Sequence, residues 1–319
     1  MRERLRALPA KVAAVKPTRI RPALFAIAVI ATGASQAQVR PTIVPAPVTT
    51  APPAITDAAQ RAAIKPIVAK KIILVGDSTT QVGSGWGGAF CAEHVTSFVA
   101  CVNLARGGRG TFDYRAEGSW DLALAEMRTP GFQHIYVLIQ FGHNDQPGKP
   151  GRSTDLATEY PANLRRYVAE ARAAGAIPIL VTPLTRRSFK NGSLQDDLTP
   201  WAEAVIKVAR ETDTPLLDLH ATSVAAVQAM GARSAIDLAE TPPPPEVLAA
   251  AETGTTIAAP KTTAAPAPTS TETLDTPQGH PTIVFDYTHL GPKGARLFAS
   301  QVAAGLAKVV PELRRDLIR

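Results

Sequence analysis

The sequence predicts a three-layer α/β domain around a five-stranded parallel sheet. Five short apolar runs alternate with helical patterns, and a hydrophobic content of 45% over 319 residues is enough for a sizeable core. The runs are Lys71 to Val75, Phe98 to Val102, Ile135 to Phe141, Ile177 to Thr182 and Pro215 to Leu219. Their spacing leaves room for helices between consecutive strands, and such crossovers make neighbouring strands parallel.

Ahead of the first strand, Arg2, Arg4, Arg6, Lys11, Lys16, Arg19 and Arg21 precede the apolar run Ala23 to Ala31 and then Ser35-Gln36-Ala37. This order reads as an export signal cleaved after Ala37, with an uncleaved anchor as the alternative. Removing residues 1–37 takes away seven basic residues and one Glu, so the net charge falls from 34 − 27 = +7 to 27 − 26 = +1. The basicity therefore belongs to the signal and not to a nucleic-acid surface. Residues 38–66, rich in Pro, Ala and Thr, read as a tether, so the folded domain is expected over 67–319.

Within the domain, the clearest helix lies between the third and fourth runs. Pro161 suits a first turn, Leu164, Tyr167, Val168 and Ala171 share one face, and Gly175 stops it. A second helix is expected from about Leu198 to Arg210, and a third from Lys293 with Phe298, Val302, Leu306 and Val309 on one stripe. Residues 241–279, with Pro242 to Pro245 and repeated Thr and Ala, read as a disordered surface insertion. Cys91 and Cys101 either form a short-loop disulfide in an oxidising compartment or are two small buried residues; no metal-ligand spacing involves them.

The ends of the first three runs carry polar and glycine-rich clusters, at the edge where parallel sheets bind ligands. Gly76-Asp77-Ser78-Thr79-Thr80 puts a hydroxyl in the first turn, as a nucleophile or as a helix cap. Gly107-Gly108-Arg109-Gly110 follows the second run, as a plain turn or as a backbone N–H donor; it fits neither Gly-x-Gly-x-x-Gly nor a Walker loop. Gly142-His143-Asn144-Asp145 follows the third. Together the N–H groups of Ser78 and Gly108 and the Asn144 amide can donate to one developing oxyanion. A base is still needed, and Asp286-Tyr287-Thr288-His289 places a carboxylate three residues before an imidazole. His289 alone could equally be a satisfied surface histidine, and His143 is the rival base.

These four blocks, in this order, resemble the SGNH (GDSL-like) hydrolases. Gly85-Trp86-Gly87, Gly107-Gly108-Arg109, Phe141-Gly142-His143-Asn144-Asp145 and Thr288-His289 further resemble the rhamnogalacturonan acetylesterases of that superfamily. The resemblance implies a flavodoxin-like sheet, no cofactor or metal, and a serine esterase. Ser78, Asp286 and His289 would be its catalytic residues, and Ser78, Gly108 and Asn144 its oxyanion hole. Two departures stand out: Gly110 occupies a position where the family usually has Ser, and the segment upstream of Asp286 is unusually long.

The implied substrate is acetylated pectic polysaccharide or oligosaccharide, met in the periplasm or outside the cell, with no nucleic-acid partner and no stable membrane insertion after signal cleavage. Arg106 and Arg109 are candidates to hold a galacturonate carboxylate, and His143 is a third candidate substrate contact. The other readings are an esterase of xylan or other short-chain acyl groups, or a catalytically silent carbohydrate-binding protein.

Overall fold

In the first strand, β1 (Lys70–Gly76), successive side chains point to opposite faces. Ile72 and Leu74 enter one hydrophobic core, while Ile73 and Val75 enter the other. A strand covered on both faces needs apolar residues at consecutive positions, which is why the run shows no alternation. A computed structural model of the chain describes residue 61, residues 64–259 and residues 284–319. The export signal expected over 1–37, nearly all of the tether, and residues 260–279 of the expected insertion lie outside the described residues. Residues 65–319 make one compact unit.

In chain order the strands are β2 (Val99–Asn103), β3 (His134–Gln140), β4 (Ile177–Val181), a two-stranded hairpin of β5 (Phe189–Lys190) and β6 (Ser193–Leu194), and β7 (Leu216–Leu217). The main sheet has the order β2-β1-β3-β4-β7 and is parallel throughout. Its register aligns the strand ends: Gly76 at the end of β1 pairs with Gln140 of β3, and Leu74 pairs with Asn103 at the end of β2. The loops after these three strands therefore leave from one edge of the sheet.

On one face lie α2 (Asp113–Ala116), α3 (Ser119–Met127), α4 (Glu159–Ala173) and α5 (Thr199–Glu211). The helix α4 has Pro161 in its first turn, buries the Leu164, Tyr167, Val168 and Ala171 stripe, and ends before Gly175 at φ +83°. The opposite face is covered by α1 (Gly87–Glu93), α6 (Leu219–Ala235), α7 (Pro245–Glu252) and α8 (Pro292–Val309). The C-terminal helix buries Phe298, Val302 and Leu306 as its stripe requires, with Val309 half-buried. Among the described residues no helix is long and apolar enough to cross a membrane.

Disorder beginning at residue 241 is corrected by the structure. The first part of that segment folds as α7, with Val247 and Ala251 buried at i and i+4 in the core beneath α6 and α8. Pro244 and Pro245 do not oppose this helix. They stand at its cap and first position, where a missing N–H costs nothing. Cys91 on α1 and Cys101 on β2 are joined as a disulfide, their Cα atoms 5.4 Å apart, which ties the helix to the edge strand it packs on.

Candidate active site

Ser78 sits in the turn directly after β1 with 7% of its surface exposed. The turn is held from beneath. Asp77 Oδ1 accepts from the Thr79 N–H and hydroxyl, at 2.8 and 2.7 Å, so the Asp side chain caps the turn and leaves the Ser hydroxyl free of it. The Gly85-Trp86-Gly87 loop packs on the same turn, with the Trp86 N–H donating to Thr79 O at 2.9 Å. A Cβ on Gly87 would lie 2.1 Å from Thr80 O, so only glycine allows this approach.

His289 lies just before α8, on a loop 211 residues from Ser78. Its Nε2 is 2.9 Å from Ser78 Oγ, and its Nδ1 is 2.5 Å from Asp286 Oδ2. The other carboxylate oxygen of Asp286 accepts the N–H groups of Thr288 and His289, both at 2.8 Å, closing a tight turn that sets the three-residue spacing. Burial works against the charged forms of both groups, yet their hydrogen bond outweighs it. Asp286 is held down to about 2, and His289 is raised above the usual imidazole value, with Glu240 and Asp77 adding to the effect of Asp286. With Nδ1–H donating to Asp286, Nε2 is left to accept the Ser78 proton.

Gly108 takes φ +78° in the turn after β2, a conformation that favours glycine. Neither its N–H nor that of Ser78 finds an acceptor among the described residues. Asn144, 6% exposed, donates one amide hydrogen to Arg109 O at 3.0 Å, which orients the amide and leaves its second hydrogen available. Asp145 behind it accepts from the Thr111 N–H and from the hydroxyls of Thr111 and Thr154. Burial nevertheless pushes Asp145 up to about 6, and its Oδ2 has no partner among the described residues. A Cβ on Gly110 would meet that oxygen at 3.1 Å, so the serine that this chain lacks is the residue that would stand beside it.

Two expectations need revision, and a third finds no support. His143 is buried beneath the turn, 3.4 Å from Asp77 Oδ2 and with no other side-chain partner among the described residues, so it offers no surface to a substrate. Burial lowers its affinity for a proton. Arg109 is spent on Glu117 at 2.9 Å and on Gly107 O at 2.8 Å. Arg106 is exposed and its charge is felt at the same Glu117, with no side-chain contact to the Ser78 turn among the described residues. Of the remaining histidines, His220 is engaged by Asp196 at 2.9 Å and His94 by Ile318 O at 2.7 Å.

One functional residue carried no signal in the sequence. The fully buried Arg187, in the loop after β4, donates to His289 O at 2.8 Å, Thr288 O at 3.1 Å and Asp286 O at 3.4 Å, while its own N–H donates to Tyr287 O. It ties down every residue of the Asp286–His289 turn through the backbone. Burial pulls its guanidinium down to about 10, partly offset by the charge of Asp286, and at that value it remains a cation at neutral pH. A second link runs from the other side, where the Leu290 N–H donates to Ser84 O and the Ser84 hydroxyl donates to Ser78 O.

Fold and site together define a carboxylic ester hydrolase of the α/β class. A family model for the GDSL-like lipase/acylhydrolase family matches residues 74–297, and the chain belongs to that family. Among curated proteins it is 34% identical over 165 residues to the probable rhamnogalacturonan acetylesterase YesY of Bacillus subtilis strain 168, covering 50% of this chain and 74% of that one. It is 36% identical over 175 residues to the rhamnogalacturonan acetylesterase RhgT of the same strain, covering 52% and 71%. Among solved structures, the protein YXIM of Bacillus subtilis shares the fold, with a TM-score of 0.53 and 20% identity over 76% of this chain and 58% of that chain.

Proposed function

We propose that this chain is an exported serine acetylesterase that removes acetyl groups from rhamnogalacturonan. The carrying observation is the chain of contacts Ser78–His289–Asp286 at 2.9 and 2.5 Å, with the N–H groups of Ser78 and Gly108 unpaired among the described residues. In the first step Ser78 Oγ bonds to the acetyl carbonyl carbon as its proton passes to His289 Nε2. The carbonyl electron pair becomes an oxyanion that accepts from the N–H groups of Ser78 and Gly108 and from Asn144. The C–O bond to the sugar then breaks, His289 returns the proton to the leaving alkoxide, and an acetyl ester remains on Ser78 Oγ. Water repeats the sequence and frees acetate.

Support for the pectic substrate comes from the two curated relatives, whose names give rhamnogalacturonan as what they act on. Support for export comes from the basic, apolar and small-residue order of residues 1–37 and from the Cys91–Cys101 bridge, which persists in oxidising compartments. The test is acetate released from acetylated rhamnogalacturonan and, in parallel, from acetylated xylan, by the mature protein and by Ser78→Ala. Release from the pectic polymer that disappears in the variant is expected. Release from xylan alone would discard the pectic substrate and keep the mechanism, and equal release by the variant would discard Ser78 as nucleophile.

A further inference from the structure

The loop after β3 carries two cations next to the groups that would receive the oxyanion. Residues 146–154 close on themselves: the Arg152 and Ser153 N–H groups donate to Lys149 O at 3.1 and 3.0 Å, the Lys149 N–H donates to Ser153 Oγ at 2.9 Å, and the Thr154 N–H returns to Asp145 O at 2.9 Å. This closure holds both side chains at the end of the strand that supplies Asn144. Lys149 Nζ stands 3.4 Å from Asn144 Oδ1, a long contact to a neutral amide. The Arg152 guanidinium lies across the Gly108 turn, where a Cβ on Gly108 would meet its Nη1 at 3.2 Å.

Neither cation is ion-paired with a carboxylate among the described residues, although the charge of Arg152 is felt at Asp113, whereas the neighbouring cations are paired. Arg186 is paired with Asp197 at 2.5 Å, and Arg109 with Glu117. Lys149 is half-buried, and burial, then repulsion from Arg186 and Arg152, lowers its hold on its proton despite the opposing charges of Asp77 and Asp197. Lys149 is half out of water and repelled by the exposed Arg152, a strain that an incoming anion relieves, and a lysine point charge beside an arginine fork is a fitting receptor for a carboxylate.

We infer that Lys149, beside Asn144, and Arg152, across the Gly108 turn, form a subsite for a carboxylate carried by the substrate. The ligand class is a uronic acid unit of the acetylated chain. This deepens the acetylesterase reading and rests on it for the identity of the sugar chain. Lys149 and Arg152 take over the role that the sequence suggested for Arg106 and Arg109.

The experiment measures competitive inhibition of p-nitrophenyl acetate hydrolysis by digalacturonate and by its uncharged methyl ester. The wild-type protein is compared with Lys149→Gln/Arg152→Gln and with the charge-preserving Lys149→Arg/Arg152→Lys. In the wild type the acid should bind at least about tenfold more tightly than the ester, as expected for two charge-assisted contacts. The Gln pair should bring that ratio near one, and the charge-preserving pair should keep most of it. A wild-type ratio near one, or an unchanged ratio in the Gln pair, overturns the subsite. If the ratio behaves as expected but the wild type frees no acetate from acetylated rhamnogalacturonan, the subsite stands and the polymer assignment falls.

Discussion

At the scale of single residues, the proposed chemistry turns on how one imidazole is tuned and held. Asp286 raises the proton affinity of His289, and a base must be neutral to accept the Ser78 proton, so activity should fall as pH drops through a His289 value above the usual 6.5. Asp286→Asn removes the raising charge. The acid limb of kcat/KM should then move to lower pH while the plateau falls by several orders of magnitude, because the preferred imidazole tautomer is lost. An acid limb that stays in place would show that another group titrates. Arg187 acts one step further back. Arg187→Lys keeps the charge but cannot reach three carbonyls with one ammonium, so the turn bearing His289 loses its anchor. We expect kcat to fall on the order of tenfold or more with KM nearly unchanged, since misplacing a catalytic group costs rate before binding. A matching rise in KM would place Arg187 in substrate binding instead.

At the scale of elements, the helix at Pro245–Glu252 and the cross-link at Cys91 carry the clearest consequences. Val247 is fully buried in the core under α6 and α8, so Val247→Ala removes two methyl groups' worth of burial and leaves a small void. This should cost about 2 kcal/mol in denaturant unfolding. An unchanged midpoint would mean that the segment is not packed. The Cys91–Cys101 bridge closes a loop with a sequence separation of 10. Restricting the unfolded chain in this way contributes about 3 kcal/mol, so reduction should lower the melting temperature by several degrees. Periodicity in the sequence revealed the helices with long one-sided stripes, α4 and α8. It missed α1, α2, α3, α6 and α7, where glycines, short length, a kink at Gly231 or flanking prolines blur a 3.6-residue pattern.

At the scale of the molecule, the parallel sheet brings together turns that are distant in sequence. The strand order β2-β1-β3 sets the Ser78 turn between the Gly108 and Asn144 turns, and α8 brings His289 back across 211 residues to close the set. The two hydrophobic cores, one on each side of the sheet, fix this edge, so the site is carried on rigid strand ends, with its loops tied to them by backbone hydrogen bonds. Ser78→Ala should therefore abolish acetate release without changing the melting temperature by more than a degree or so, because the Ser hydroxyl bonds only to His289 among the described residues. A large loss of stability would mean that the Ser78–His289 contact also supports the fold.

Features set by neighbours along the chain are legible without the fold. Five consecutive apolar runs announced buried parallel strands, because a strand covered on both faces has no polar side. The Asp286-x-x-His289 spacing announced a carboxylate beside an imidazole, because a three-residue turn brings the two together regardless of the rest of the chain. The tertiary structure decided what depends on approach between distant segments. Arg109 and His143 looked available in sequence, yet Glu117 occupies the first and burial takes the second. Arg187, Lys149 and Arg152 looked ordinary, yet packing places one beneath the histidine turn and the other two beside the oxyanion groups. A charged side chain's role is set by which opposite charge and how much water lie within a few ångströms of it, and only the folded chain specifies either.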